Sequence, residues 1–312
     1  MLKINTAVFI GMGALGILYG HTIAKALGPG SVTFIVDKER KERYAARPPV
    51  FNGEPCPFVF KQPHEYTGKA EFLIFSVKGT ALAQAIDEVR PLVGPETIIL
   101  SLLNGISSET ILEKAFPEAK VLYCVAQGMT ATRVGTTVTS RNAGVLFVGV
   151  PDRHADREPQ LNAVELFFDR AGVIYEHEDD IERRLWCKWM FNIGVNQTVA
   201  VAEGTFADIQ KAGPVRERYI AAMREVVTVA EALGVDVTQK DLDDYVRLGD
   251  TLDPQGMPSL RQDTLAHRAT EVDFFSGALI EKARELGIDV PVNEALNREI
   301  KALEASWNEA KN

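Results

Sequence analysis

Residues 5–16 read Asn-Thr-Ala-Val-Phe-Ile-Gly-Met-Gly-Ala-Leu-Gly, a short apolar run that stops at Gly11 and becomes the turn Gly11-Met12-Gly13-Ala14-Leu15-Gly16. A helical pattern follows to about Leu27. A second apolar run, Ser31 to Val36, then ends on Asp37, 21 residues past the third glycine. The pattern G-x-G-x-x-G says little by itself. Set between a strand and a helix, with an acid at that remove, it specifies a dinucleotide-binding βαβ unit. Gly11 allows the tight turn, Gly13 lets the backbone approach a pyrophosphate, and Gly16 permits close packing of helix on strand. The helix start then offers backbone N–H groups to the phosphates.

Further strands are expected over 71–77 and 97–103, with a helix over 81–92 between them. Each strand runs into polar residues at its carboxyl end, Lys78 for the first and Asn104-Gly105 for the second. Ligands of an open parallel sheet bind at those ends. Strands over 121–125, 136–140 and 145–150 have shorter connections, which predicts that the sheet turns antiparallel there. A helix over 159–171 and a strand over 173–176 close this half. From Asp179 onward the pattern is helical, over 181–201, 214–233, 238–250, 263–286 and 293–310. Asp253-Pro254-Gln255-Gly256 supplies a turn, and Gly287 and Pro291 separate the last two helices. The expected architecture is an α/β Rossmann-type dinucleotide-binding domain over 1–178, followed by an all-α domain over 179–312.

The totals exclude several classes. A net charge of −9 argues against a nucleic-acid or anionic-membrane surface. No apolar run approaches a membrane span of roughly 20 residues, and the N-terminus opens directly on a strand pattern rather than a signal peptide. Cys56, Cys124 and Cys187 are odd in number and far apart, which suits a reduced cytoplasmic setting better than a disulfide framework. The five histidines show no metal-ligand spacing, so no metal is expected.

One helix carries a contradiction. Residues 185–201 are apolar almost all the way round, the mark of a buried helix. Yet Lys188, Asn192 and Asn196 recur at i, i+4 and i+8 and project from one strip. A buried lysine must find a partner or shift its pKa. Three polar groups facing inward suggest the floor of a site.

With these residues placed, the chain resembles the ketopantoate reductase family (2-dehydropantoate 2-reductase) over essentially its whole length. The resemblance rests on the glycine turn, Val77-Lys78, Asn104-Gly105 and Lys188-x-x-x-Asn192-x-x-x-Asn196. It extends to Ser259-Leu-Arg-Gln-Asp263, which leads to Thr270-Glu271-Val272-Asp273. It implies a Rossmann domain, a helical domain and an active site in the cleft between them. The implied reaction transfers hydride from a reduced nicotinamide cofactor, NAD(H) or NADP(H), to the keto carbon of a small 2-oxo acid, giving a D-configured 2-hydroxy acid. By position, Lys188 matches the catalytic lysine, whose ammonium would stabilise the growing oxyanion and deliver its proton. Asn192, Asn196 and Ser259 match substrate-binding positions. Glu271 matches an acid that contacts the cofactor and lies close to the lysine, and Lys78, Asn104 and Ala131 match cofactor contacts. Ser259 and Gln262 also spell a capping box for the next helix, a rival role for the serine.

Two departures bear on specificity. Asp37 stands where many of these enzymes carry an arginine for the 2′-phosphate of NADP; a carboxylate accepts from a free ribose 2′-OH and repels a phosphate, which favours NAD(H). Ala202-Glu203-Gly204-Thr205-Phe206 replaces a loop that often supplies a substrate-contacting asparagine. An NAD-dependent D-2-hydroxy acid dehydrogenase for branched or aromatic acids is therefore an alternative within the enzyme class. A dinucleotide-binding sensor without turnover is the alternative outside it. C-terminal helices in such folds often pair subunits, which leaves a homodimer open.

Overall fold

The computed structural model describes residues 2–309. The chain forms two compact units, one made of the residues up to Asn104 with Ser108–Ile181, the other of Gly105–Ser107 with everything from Glu182 onward.

The first unit contains twelve strands among its described residues: β1 (Ala7–Ile10), β2 (Val32–Ile35), β3 (Val50–Phe51), β4 (Glu54–Pro55), β5 (Val59–Lys61), β6 (Phe72–Phe75), β7 (Ile98–Ser101), β8 (Lys120–Gln127), β9 (Thr132–Val134), β10 (Thr137–Thr139), β11 (Val145–Gly149) and β12 (Tyr175–His177). Its helices are α1 (Ala14–Leu27), α2 (Lys38–Ala46), α3 (Leu82–Val89), α4 (Ser108–Ala115) and α5 (Glu158–Ala171). Eight strands form one sheet in the order β12-β11-β8-β7-β6-β1-β2-β5. Its pairs are parallel except β11 on β8, the antiparallel switch expected from the shortened connections. The four residues of β1, β2, β6 and β7 are all buried, because helices cover both faces of a parallel sheet. Alternation sorts them. Ala7, Phe9, Phe34, Phe72 and Ile74 meet Ile17, Phe167 and Phe168 of α1 and α5, whereas Val8, Ile10, Ile35, Leu73 and Phe75 meet Leu82, Ile86 and Leu112 of α3 and α4. β1 lies between β2 and β6, so the strand order reverses beside it, and the crevice of a doubly wound sheet opens at its carboxyl end.

The strand expected over 136–140 exists as β10 but belongs to a separate sheet of order β4-β3-β10-β9. Val138 of β10 is fully buried in the core that also holds Tyr19 of α1. The Tyr19 hydroxyl donates to the Ala143 carbonyl at 3.0 Å. This small sheet is thereby fixed to the first helix.

The second unit contains α6 (Ile181–Val201), α7 (Phe206–Gln210), α8 (Pro214–Ala232), α9 (Gln239–Asp250), α10 (Ser259–Leu265), α11 (Ser276–Leu286) and α12 (Pro291–Glu309). Residue 310 of the helix expected over 293–310 lies outside the described residues. The continuous helix expected over 263–286 is a correction: the chain breaks after α10, passes through a 3-10 turn at Val272–Phe274 and resumes as α11. His267 takes a positive φ of 50°, and Arg268 reaches back to the Asp263 carboxylate at 2.9 Å. The Thr270 N–H donates to Glu304 Oε1 of α12 at 2.7 Å, a side-chain partner in place of a helical carbonyl. Tertiary partners here override an unbroken helical pattern. Among the described residues no helix is long and apolar enough to cross a membrane.

Candidate active site

The glycine turn follows β1 and opens α1. Gly11 sits at φ +93°, and a Cβ there would lie 2.6 Å from Val77 Cγ1 and 2.7 Å from the Ser76 carbonyl. A Cβ on Gly16 would lie 2.6 Å from the Gly11 carbonyl oxygen. Both glycines are demanded by the protein's own packing. Gly13 is different: its nearest neighbour would be the Ser76 oxygen at 3.4 Å, an ordinary contact, and its φ of −76° suits any residue. The bare backbone at Gly13 therefore leaves a cradle that a Cβ would fill, beside helix-start N–H groups that lack carbonyl partners within the helix. A pyrophosphate fits that cradle.

Other cofactor candidates fall at the same edge of the sheet. Asp37 follows β2, Lys78 follows β6, Asn104 lies beyond β7 and Ala131 beyond β8, four strands whose parallel pairing points their carboxyl ends the same way. Residues spread from 11 to 131 in sequence thus converge on one rim. Met12 is buried beneath the turn, whereas Ala14 and Leu15 are half-buried on its helical side. Asp37 also caps α2, its Oδ1 accepting from the Arg40 N–H at 2.6 Å while Oδ2 faces Arg40 Nε at 3.4 Å. A carboxylate offers about four acceptor positions, so this cap leaves capacity for a ribose hydroxyl.

Two residues of this rim escaped the sequence reading. The Ser76 hydroxyl donates to the Gly11 carbonyl at 2.6 Å and so locks the turn to the end of β6. Its only signal was a polar residue set near the end of an apolar run. Arg133 of β9 donates from Nη1 to the Met12 carbonyl at 2.6 Å, across 121 residues of sequence, and no local pattern announces it.

In the second unit, α6 presents the polar strip. Lys188 and Asn192 are half-buried rather than enclosed, and Asn196 is buried at 4% exposure. The buried lysine expected from the apolar run is corrected to a half-buried one: the strip emerges from the core toward its Lys188 end, where an ammonium is less costly. Asn196 Oδ1 accepts from the Leu260 N–H at 3.1 Å and from the Ser259 hydroxyl at 3.1 Å. A backbone N–H can only donate, which fixes the oxygen of the amide on that side and turns its NH₂ toward Asn192, whose Oδ1 lies 3.4 Å away. Asn192, Asn196 and Ser259 are therefore one connected array.

The capping box expected for Ser259 and Gln262 is absent. Pro258 is the cap of α10, Ser259 is its first helical residue, and Gln262 Nε2 donates to the Met257 carbonyl at 3.0 Å. Ser259 is exposed, with its hydroxyl held by Asn196. Glu271 is half-buried just before the 3-10 turn. Trp189 Nε1 donates to the Phe274 carbonyl at 2.9 Å, fastening that turn to the helix position next to Lys188. Phe191, on the same side of α6 as Lys188 at i+3, has the Tyr245 ring of α9 at 5.4 Å. The loop Ala202–Phe206 is occupied structurally: the Thr205 N–H donates to Asp208 Oδ2 at 2.8 Å to cap α7, and the Phe206 N–H donates to the Gly256 carbonyl at 3.0 Å.

Comparison with known proteins shows the family and the fold. A family model described as ketopantoate reductase PanE/ApbA matches residues 7–152, and its C-terminal companion matches residues 180–304. A 2-dehydropantoate 2-reductase of Streptococcus pyogenes is 25% identical over 306 residues, covering 96% of this chain and 97% of the relative. The crystal structure of a PanE/ApbA family ketopantoate reductase from Ralstonia eutropha superposes with a TM-score of 0.82 at 23% identity, covering 96% of this chain and 99% of that one. A D-mandelate dehydrogenase solved with NADH and anilino(oxo)acetate gives a TM-score of 0.84 at 21% identity, covering 97% of this chain and 100% of that one.

Proposed function

The chain belongs to the ketopantoate reductase (PanE/ApbA) family, and on that premise we propose that it is a nicotinamide-dependent reductase of 2-oxo acids, with 2-dehydropantoate as first candidate substrate and D-pantoate as product. The observation that carries this reading is the strip on α6, where Lys188 stands one turn from Asn192 and Asn192 one turn from an Asn196 tied to Ser259.

The glycine turn, Asp37, Lys78, Asn104, Ala131 and Glu271 would hold a reduced nicotinamide, which would supply the hydride. As the keto carbon accepts it, negative charge grows on the carbonyl oxygen. The Lys188 ammonium stabilises that charge and passes its proton to the oxygen, completing the hydroxyl; the neutral amine regains a proton from solvent. Asn196 directs its oxygen into the protein and its NH₂ along the strip, so the array presents donors, which suit the carboxylate and keto oxygens of a 2-oxo acid. Ser259, its proton engaged by Asn196, has lone pairs left to receive a substrate hydroxyl. Glu271, half-buried before the 3-10 turn, is the acid assigned to cofactor contact. Asp37 favours NAD(H) over NADP(H).

A second reading has its own observation: the aromatic pair Phe191–Tyr245 beside the strip suits a bulky apolar substituent, as in an NAD-dependent D-2-hydroxy acid dehydrogenase. Following NADH and NADPH oxidation against ketopantoate, 2-ketoisovalerate, 2-ketoisocaproate and phenylglyoxylate separates the two. Highest kcat/KM with ketopantoate supports the first, and with phenylglyoxylate the second. Oxidation with none of them contradicts both and leaves a dinucleotide-binding sensor. An NADPH preference of about tenfold or more, roughly 1.4 kcal/mol, contradicts the role given to Asp37.

A further inference from the structure

The short β9–β10 hairpin carries Arg133 to the glycine turn. Its base is rigid. Thr130 Oγ1 accepts from the N–H groups of Arg141 and Asn142 at 3.2 and 3.1 Å, Tyr19 of α1 holds Ala143, and Val138 is fully buried. Within β9, Arg133 donates to two backbone oxygens, Nε to Gly135 at 2.8 Å and Nη1 to Met12 at 2.6 Å. Met12 is the middle residue of Gly11-Met12-Gly13, whose bare backbone forms the cradle. A guanidinium has five N–H donors in a fixed fork, and these two bonds leave donors over. A delocalised cation held by two hydrogen bonds at a phosphate cradle has a plain chemical use, because arginine binds phosphate by paired charge-assisted hydrogen bonds.

We propose that Arg133 is a cofactor-binding residue that grips the pyrophosphate of the dinucleotide from the hairpin side, opposite the amides at the start of α1. The inference rests on the dinucleotide reading of the turn. The pyrophosphate, rather than a ribose 2′-phosphate, is its target, because Arg133 meets the turn after β1 whereas the ribose-reading Asp37 follows β2. Arg133 therefore acts equally on NADH and NADPH.

The test measures binding rather than turnover, with NADH and NADPH followed by fluorescence and ADP-ribose and adenosine by calorimetry. Arg133→Met is expected to weaken NADH, NADPH and ADP-ribose by a common factor of about 10 to 100, with adenosine unchanged. Arg133→Lys keeps the charge without the fork and is expected to fall between the variant and the parent. The loss in Arg133→Met should shrink as salt rises, since the missing interaction is one that salt screens. Retention of NADH affinity within about twofold overturns the proposal. So does an equal loss of adenosine, which would mean that Arg133 only props the turn through Met12. A loss confined to NADPH overturns the assignment to the pyrophosphate. If the unaltered protein binds neither dinucleotide, the proposal falls together with the reading on which it rests.

Discussion

At the scale of single residues, the account turns on what α6 does with its polar side chains. Lys188→Ala is expected to lower kcat by about 10²- to 10⁴-fold, the usual worth of a positioned general acid, while NADH still binds by fluorescence. Loss of cofactor affinity in parallel with turnover would contradict a proton-donor role. Asn196→Ala removes the acceptor of the Leu260 N–H and the Ser259 hydroxyl, so a buried donor goes unpaired. That costs roughly 1–3 kcal/mol of stability, seen as a lower thermal midpoint, and raises KM through the loosened serine. The strip was legible in the sequence because helix period alone puts i, i+4 and i+8 on one side. Only the rival capping role of Ser259 was misread, because a serine three residues before a glutamine also fits a capping box and the sequence does not reveal that Pro258 takes the cap. Arg133 was invisible because its partner lies 121 residues away.

At the scale of elements, helix contacts explain features that no side chain explains alone. Gly194, in the middle of α6, faces α8: a Cβ there would lie 2.6 Å from Met223 Cγ and 2.9 Å from the Tyr219 ring. The ring is fully buried, and its hydroxyl donates to the Tyr245 carbonyl at 3.3 Å, so it has little room to retreat. Alanine would gain up to about 1 kcal/mol in helix propensity but lose about 1–3 kcal/mol to overpacking. Gly194→Ala is therefore expected to lower the melting temperature, and an unchanged or higher one would contradict this close approach. The helices over 181–201 and 214–233 were readable because their patterns are long and uninterrupted. The break between α10 and α11 was not, since it is enforced by Arg268 on Asp263 and by Glu304 on the Thr270 N–H. That break places Glu271 outside any helix.

For the whole molecule, the alternation of glycine turn, helix and buried strands was enough to specify most of the main sheet, because a doubly wound fold repeats one simple unit, but not its short edge strand β5. The small second sheet was not specified, since its strands are two or three residues long and its central pair, β3 with β10, joins Val50 to Thr137. Titration of scattered groups sets a pH dependence for the molecule. Burial holds the His21 imidazole below its ordinary 6.5, against the pull of Glu54. The unfolded chain then takes up that proton first, so stability is full above about pH 6.5 and declines as pH falls below it toward the lowered folded value. Burial alone would raise the Asp241 carboxyl, but the Thr238 hydroxyl and N–H and the Arg183 guanidinium outweigh it and hold it below 3.8. Its contribution is present above that pH and is lost as pH falls further. Between about pH 7 and 5 calorimetric melting is expected to depend less favourably on acid in the unaltered protein than in His21→Gln, against a background to which the lowered His154 and the raised His177 contribute with opposite signs; the same pH dependence in both proteins would contradict this assignment. The central claim is that a hydride passes to a 2-oxo acid while Lys188 supplies the proton. Its most direct test incubates the protein with ketopantoate and NADH carrying deuterium at the transferable position, then reads the product by mass spectrometry and chiral chromatography. The account predicts a D-configured 2-hydroxy acid with one deuterium at C2, formed by the unaltered protein and nearly absent with Lys188→Ala; unlabelled product, or undiminished labelling in the variant, would contradict it.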